Sequence, residues 1–196
     1  MLTEKHSDEF RKQHLRLDED THPKIKSLAL WTERWLKAAS TNESPIKTRW
    51  TLLCGPAGTG KTHCLRATNR FFRKYSGKLW PRYHRHGPPG VKWVNWSAAV
   101  AHDKFGWEDF MEEIRNAKII LVDDIGSEVD RYKSGEPAER LRMFLNQCEG
   151  RWMLATTNVA RKSFLEVFDG RIYSRLELAA CLDLTGAPDY RPKVTQ

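Results

Sequence analysis

Eight consecutive residues, Gly55-Pro56-Ala57-Gly58-Thr59-Gly60-Lys61-Thr62, have the types and spacing of a loop that holds phosphate. Phosphate oxygens must be met by backbone N–H groups, and glycines at 55, 58 and 60 keep side chains out of the way. A helix starting near Lys61 would aim its N-terminal N–H groups and dipole at the anion. The Lys61 ammonium can reach the β- and γ-phosphates, and the Thr62 hydroxyl can ligate magnesium. Some sixty residues later, Ile119-Ile-Leu-Val-Asp123-Asp124 is an apolar run ending in two carboxylates. An acid at the end of a strand beside such a loop holds magnesium, which assigns the metal to Thr62 and Asp123. Asp124 is then placed to polarise an attacking water as general base. An Asp there is one methylene shorter than a Glu, so slow hydrolysis is expected.

The elements needed to position these groups are legible. Trp50–Cys54 reads as a buried strand before the loop, and a helix should follow from Lys61 to about Tyr75. Lys118–Val122 is a β-branched strand leading into the acids. Ile25, Leu28, Trp31, Trp35 and Leu36 recur at helical spacing after Pro23. Further along, the pattern predicts a strand over Val91–Trp96, a helix over Trp107–Asn116, a helix over Pro137–Glu149 and a strand over Trp152–Thr156. Ser163 and Glu166 form a capping box for a helix that Gly170 closes. A helix over Ile172–Ala180 and a short strand over Cys181–Leu184 complete the order. Strands alternating with helices mean an α/β fold, a mostly parallel sheet covered on both faces. Trp31, Trp35, Trp93 and Trp152 are expected in the core.

Composition sets the outer limits. At 196 residues the chain is expected to form one core domain over residues 22–196, preceded by a charged arm over residues 1–21. No apolar run can span a membrane and the first residues lack a signal-peptide core, which predicts the cytoplasm of a bacterium, or of a host cell for a viral or transposon-borne gene. Cys54, Cys64, Cys148 and Cys181 form no C-x-x-C pair and are expected as free thiols. The net charge is +8, and between Ser44 and His102 there are eleven Lys or Arg residues and no Asp or Glu. A one-signed surface of this kind attracts nucleic acid through phosphate contacts. The alternative is a solvated face neutralised by acids from elsewhere. Within this stretch Lys78-Leu-Trp80-Pro-Arg82-Tyr83-His84-Arg85-His86 mixes rings with cations, a combination suited to single strands.

With these motifs in place, the stretch from His22 to Lys193 resembles the AAA+ ATPases of the DnaC-type helicase loaders and the related IstB-like ATP-binding transposition helpers. The loop, followed by His63, looks like the family's loop. Asp123-Asp-Ile-Gly-Ser-Glu128 looks like its D-D-x-G-x-E, and Ala155-Thr-Thr-Asn158 like its sensor 1 segment. Arg171-Ile-Tyr-Ser-Arg175-Leu matches its box VII segment, and Gly186-Ala-Pro-Asp-Tyr-Arg191 resembles its C-terminal G-x-S-Y-R. The resemblance implies an AAA+ P-loop core without a C-terminal helical lid, binding ATP with Mg2+. It implies that Asn158 orients the lytic water, that Arg175 (with Arg171 as competitor) is an arginine finger for a neighbouring subunit, and that His63 and Arg191 join the nucleotide site. DNA, with single strands favoured, a replicative helicase or a transposase, and further copies of the chain are the implied partners. Three alternatives stand beside the helicase-loader reading: a transposition helper, a nucleotide-gated DNA-binding module with negligible hydrolysis, and a small-molecule kinase. The kinase lacks any apparent acceptor site or lid.

Overall fold

β1 (Trp50–Cys54) and β4 (Trp152–Thr157) are buried at every position, and β3 (Ala117–Asp123) at all but Lys118. Strands that apolar cannot leave a face in water, so they occupy the middle of a sheet covered on both sides. The computed structural model describes residues 8–15, 22–41, 49–79, 90–127 and 135–189. Its strands form one sheet in the order β2-β3-β4-β1-β5, with β2 at Gly90–Asn95 and β5 at Ala180–Asp183. Every pairing is parallel, as with Leu52 opposite Ala155 and Leu121 opposite Leu154. Chain order thus differs from spatial order, and β4 is inserted between β1 and β3.

Two layers of helices cover the sheet. On one face lie α1 (Pro23–Thr41) and α2 (Lys61–Leu79), packed through Trp35, Leu36, Leu65, Phe71 and Phe72. On the other lie α3 (Trp96–Val100), α4 (Lys104–Asn116), α5 (Glu136–Gln147), α6 (Phe164–Val167) and α7 (Gly170–Glu177), around Trp96, Phe110, Phe144 and Ile172. Trp35 and Trp152 are buried and meet edge-on at 6.1 Å, whereas Trp31 and Trp93 are only half-buried. A π-helical segment, Phe10–Leu15, lies in the expected arm, with Phe10 fully buried and edge-on to Phe71 at 5.6 Å.

Several boundaries differ from expectation. The second strand stops at Asn95, whose side chain accepts the Ala98 N–H at 3.0 Å and caps α3, so Trp96 is helical rather than extended. Helix α2 continues through Gly77 to Leu79. Ser163 makes no capping bond and ends a 3-10 turn, and Gly170 opens α7 instead of closing a helix. Asp169 dictates that start by accepting the N–H groups of Arg171 and Ile172 at 2.8 and 2.9 Å. The helix then ends at Glu177, and Ala180 belongs to β5.

The four cysteines are free, and the Cys54 and Cys181 thiols are hydrogen-bonded across β1 and β5 at 2.7 Å. Among the described helices none is long and apolar enough to cross a membrane.

Candidate nucleotide site

The loop over residues 55–60 joins the end of β1 to the start of α2. Lys61, the first residue of α2, is 6% exposed. Its ammonium donates to the Gly55 carbonyl at 2.8 Å, the Pro56 carbonyl at 2.8 Å and Asn158 Oδ1 at 3.0 Å. An ammonium has three protons, so these bonds use its full capacity and pin it at the loop. Burial pulls Lys61 below the ordinary lysine range, and the carboxylates of Asp124 and Asp123 oppose that pull. Within the loop Thr59 is buried and its hydroxyl donates to the Pro56 carbonyl at 3.0 Å, while Pro56 and Ala57 are exposed.

Because β4 lies between β1 and β3, the residue just after it, Asn158, meets groups from both neighbours. Asn158 donates through Nδ2 to Asp124 Oδ1 at 2.6 Å and accepts from Lys61 through Oδ1. Thr62 Oγ1 donates to Asp123 Oδ1 at 2.8 Å. Thr156, the penultimate β4 residue, is also drawn in: its hydroxyl donates to Asp123 Oδ1 at 2.8 Å and accepts the Asp124 N–H at 2.8 Å. Burial pushes the Asp124 carboxyl above the usual carboxylate range, Asp123 adds to the rise, and Lys61 counters it. One cluster therefore joins Lys61, Thr62, Asp123, Asp124 and Asn158, as the sequence led one to expect. Thr156 was not anticipated.

The residues present fit a magnesium ion. Thr62 and Asp123 offer hard oxygen donors that already meet, and no group of three His, Cys, Asp or Glu residues among those described forms a protein cage. Magnesium is commonly held by one or two protein ligands, its remaining positions going to water and phosphate oxygens.

Other expected members lie elsewhere. His63 is exposed on α2. Arg175, in the last turn of α7, donates to the Arg171 carbonyl at 3.0 Å, and its buried Nε has no partner among the described residues. Within one chain it joins neither the loop nor Asp124, and Arg171 is exposed. Glu128, Arg191 and the ring-and-cation segment over Trp80–His86 lie outside the described residues.

The segment after β5 passes over the loop. A methyl group added at Gly58, whose φ is 83°, would lie 2.0 Å from Asp189 Oδ1 and 2.2 Å from its Cγ, so only glycine fits. This places a carboxylate beside the loop expected to receive polyphosphate.

No family model matches the sequence, and no curated protein matches it. Among solved structures, a DnaC helicase loader is 16% identical, with a TM-score of 0.61 over 89% of this chain and 97% of that one. DnaA from Aquifex aeolicus bound to AMPPCP is 18% identical, with a TM-score of 0.57 over 78% of this chain and 45% of that one. A replication initiator DnaA bound to AMPPCP and single-stranded DNA is 19% identical, with a TM-score of 0.56 and the same coverage of 78% and 45%. The chain thus spans less than half the length of those DnaA chains. The parallel five-stranded sheet and its helices are the fold of AAA+ P-loop NTPases. The resemblance to DnaC-type loaders therefore holds at the level of the fold.

Proposed function

We propose that this chain is an AAA+ ATPase that binds ATP with Mg2+, hydrolyses it slowly, and assembles on DNA in the ATP state as a helicase-loader-like replication factor. The observation that carries this reading is the continuous hydrogen-bonded chain from Lys61 through Asn158 to Asp124, alongside Thr62 and Asp123. The loop over residues 55–60 would take the phosphates on its N–H groups. Lys61 would exchange loop carbonyls for phosphate oxygens. Thr62 and Asp123 would hold the metal, which neutralises charge on the phosphates. Asp124 would accept a proton from water, and Asn158, bonded to both Lys61 and Asp124, would orient that water. Arg175, with no link to the site in its own chain, would serve the site of a neighbouring copy.

A strongly basic helical layer supports the DNA part. α2 contains no acidic residue, and Arg66, Arg70 and Arg73 recur along its exposed face. Arg34 of α1 is also exposed on this layer. Two cations of the basic stretch are neutralised by distant acids, Lys74 by Glu9 and Lys92 by Glu113. The opposite layer exposes Glu108, Asp109, Glu112 and Glu113 on α4. A polyanion is thereby directed to one face. The DnaA structure holding single-stranded DNA is a relative in fold and favours single strands for this chain.

The combined substitution Arg66→Ala, Arg70→Ala and Arg73→Ala is expected to weaken single-stranded DNA binding at least about tenfold and to lower the salt slope by about two. ATP affinity should not change. Fluorescence anisotropy at several salt concentrations reads both quantities, and an unchanged slope would remove this face from the reading. The nucleotide-gated module with negligible hydrolysis is favoured by the short Asp124 side chain; phosphate release from the assembled protein separates it from the ATPase. Affinity purification with ATP and DNA present tests the partner: a replicative helicase supports the loader reading, and a transposase supports the IstB-like alternative.

A further inference from the structure

Thr156 is 1% exposed and sits where β4 passes between β1 and β3. A hydroxyl has a single proton. Thr156 spends it on Asp123 Oδ1 at 2.8 Å, the oxygen that also accepts from Thr62 at 2.8 Å. Its lone pairs face the other way and take the Asp124 N–H at 2.8 Å. The Thr156 backbone carbonyl accepts the Ile125 N–H at 2.9 Å, so one residue grips the chain on both sides of Asp124.

Asp124 needs such a grip. Its φ is 69°, and it is the one non-glycine residue in the left-handed region among those described. A side chain is disfavoured there and stays only where its surroundings fix it. Ser127 helps from beyond, donating through its hydroxyl to the Asp124 carbonyl at 2.7 Å. Thr156 hydrogen-bonds to both acids.

We propose that Thr156 is a positioning residue that couples the two acids of the site, fixing the Asp123 oxygen beside Thr62 and aiming Asp124 through its backbone N–H. The inference rests on the proposed ATP–magnesium reading of this site. One hydroxyl then transmits changes at the metal ligand to the water-activating carboxylate. The next residue supplies a control. Thr157 is equally buried, but its hydroxyl donates to the Ile125 carbonyl at 2.7 Å and touches neither acid.

The test compares Thr156→Val, Thr156→Ser and Thr157→Val in the full chain. ATP-analogue affinity is measured in EDTA and in Mg2+, alongside turnover and thermal unfolding. In Thr156→Val, affinity in EDTA should match the parent, while the magnesium-dependent gain should fall about tenfold or more, the scale on which outer-shell partners act. Turnover should fall at least as far. Thr156→Ser should restore both. Thr157→Val should lose stability but keep the magnesium-dependent gain. Should Thr156→Val fail to fold, Thr156→Cys, whose thiol is a weak hydrogen-bonding group, takes its place. A substituted protein that keeps the full magnesium-dependent gain and turnover overturns the inference, as does a Thr156→Ser protein as impaired as Thr156→Val. A parent protein that binds no ATP sinks the site reading itself, an outcome distinct from either.

Discussion

Lys61→Ala is expected to lose ATP affinity at least about a hundredfold, because it removes a positive charge from a buried site facing a polyanion. The side chain does two jobs in this geometry. Its ammonium ties the Gly55 and Pro56 carbonyls to Asn158, which sets the shape of the loop. It also supplies the positive charge nearest the expected phosphates, in surroundings that amplify electrostatic effects. DNA binding that depends on ATP should vanish with it, while any nucleotide-independent component, proposed for the face of α2, should remain. Lys61→Arg should not rescue, since a planar guanidinium cannot make the same three short bonds from a buried position. Binding of a fluorescent ATP analogue measures the loss. Near-parent affinity in a folded Lys61→Ala protein would contradict the site assignment.

Asp124→Asn is expected to keep ATP binding and lose turnover by at least about a hundredfold, the lower end of what a positioned base contributes. The amide has nearly the shape of the carboxylate but cannot take a proton. Its pH profile carries a second signature. Burial raises the Asp124 carboxyl in the folded protein, with Asp123 adding to the shift. With the carboxylate as the proposed base, parent turnover should rise with pH through a value above the ordinary carboxylate range and then level off. In Asp124→Asn that rise should be absent.

Arg175→Ala should likewise keep nucleotide binding and lose turnover, for a different reason. Among the described residues Arg175 donates to the Arg171 carbonyl and joins neither the loop nor Asp124. If it acts across a subunit boundary, mixing Arg175→Ala with Asp124→Asn creates interfaces that carry an intact base and an intact arginine. Partial recovery of phosphate release at intermediate ratios is the expected outcome. No recovery at any ratio would confine the mechanism to single chains.

The strand–loop–helix around residues 55–60 was legible in the sequence because its pattern is local. Glycine spacing, an apolar strand before and a helix after are all contiguous, and the structure has them at Trp50–Cys54 and Lys61–Leu79. Asp123 and Asp124 were legible for the same reason, as acids closing a β-branched run. Thr156 was not, since its contacts with Asp123 and Asp124 depend on β4 lying beside β3, which adjacency along the chain does not reveal. Asp189 was missed because its approach to Gly58 joins residues 131 positions apart, and the signal lay within a segment read for Arg191. Gly170 misled for a local reason. A glycine after an apolar run reads as a helix stop, but Asp169 before it caps the next helix. At Gly77 the opposite occurred: the helix expected to end near Tyr75 carries this glycine inside α2.

Under the proposed function, occupancy of the loop at Gly55–Thr62 by ATP and magnesium controls how the chain engages DNA. The most direct measurement is the affinity of the purified protein for a single-stranded oligonucleotide in ATP with Mg2+, in ADP with Mg2+, and without nucleotide, at one salt concentration. The expected result is binding at least about tenfold tighter with ATP than in either other condition, a coupling within the usual range for linked sites. Equal affinity in all three conditions, in a protein shown to bind ATP, would contradict it.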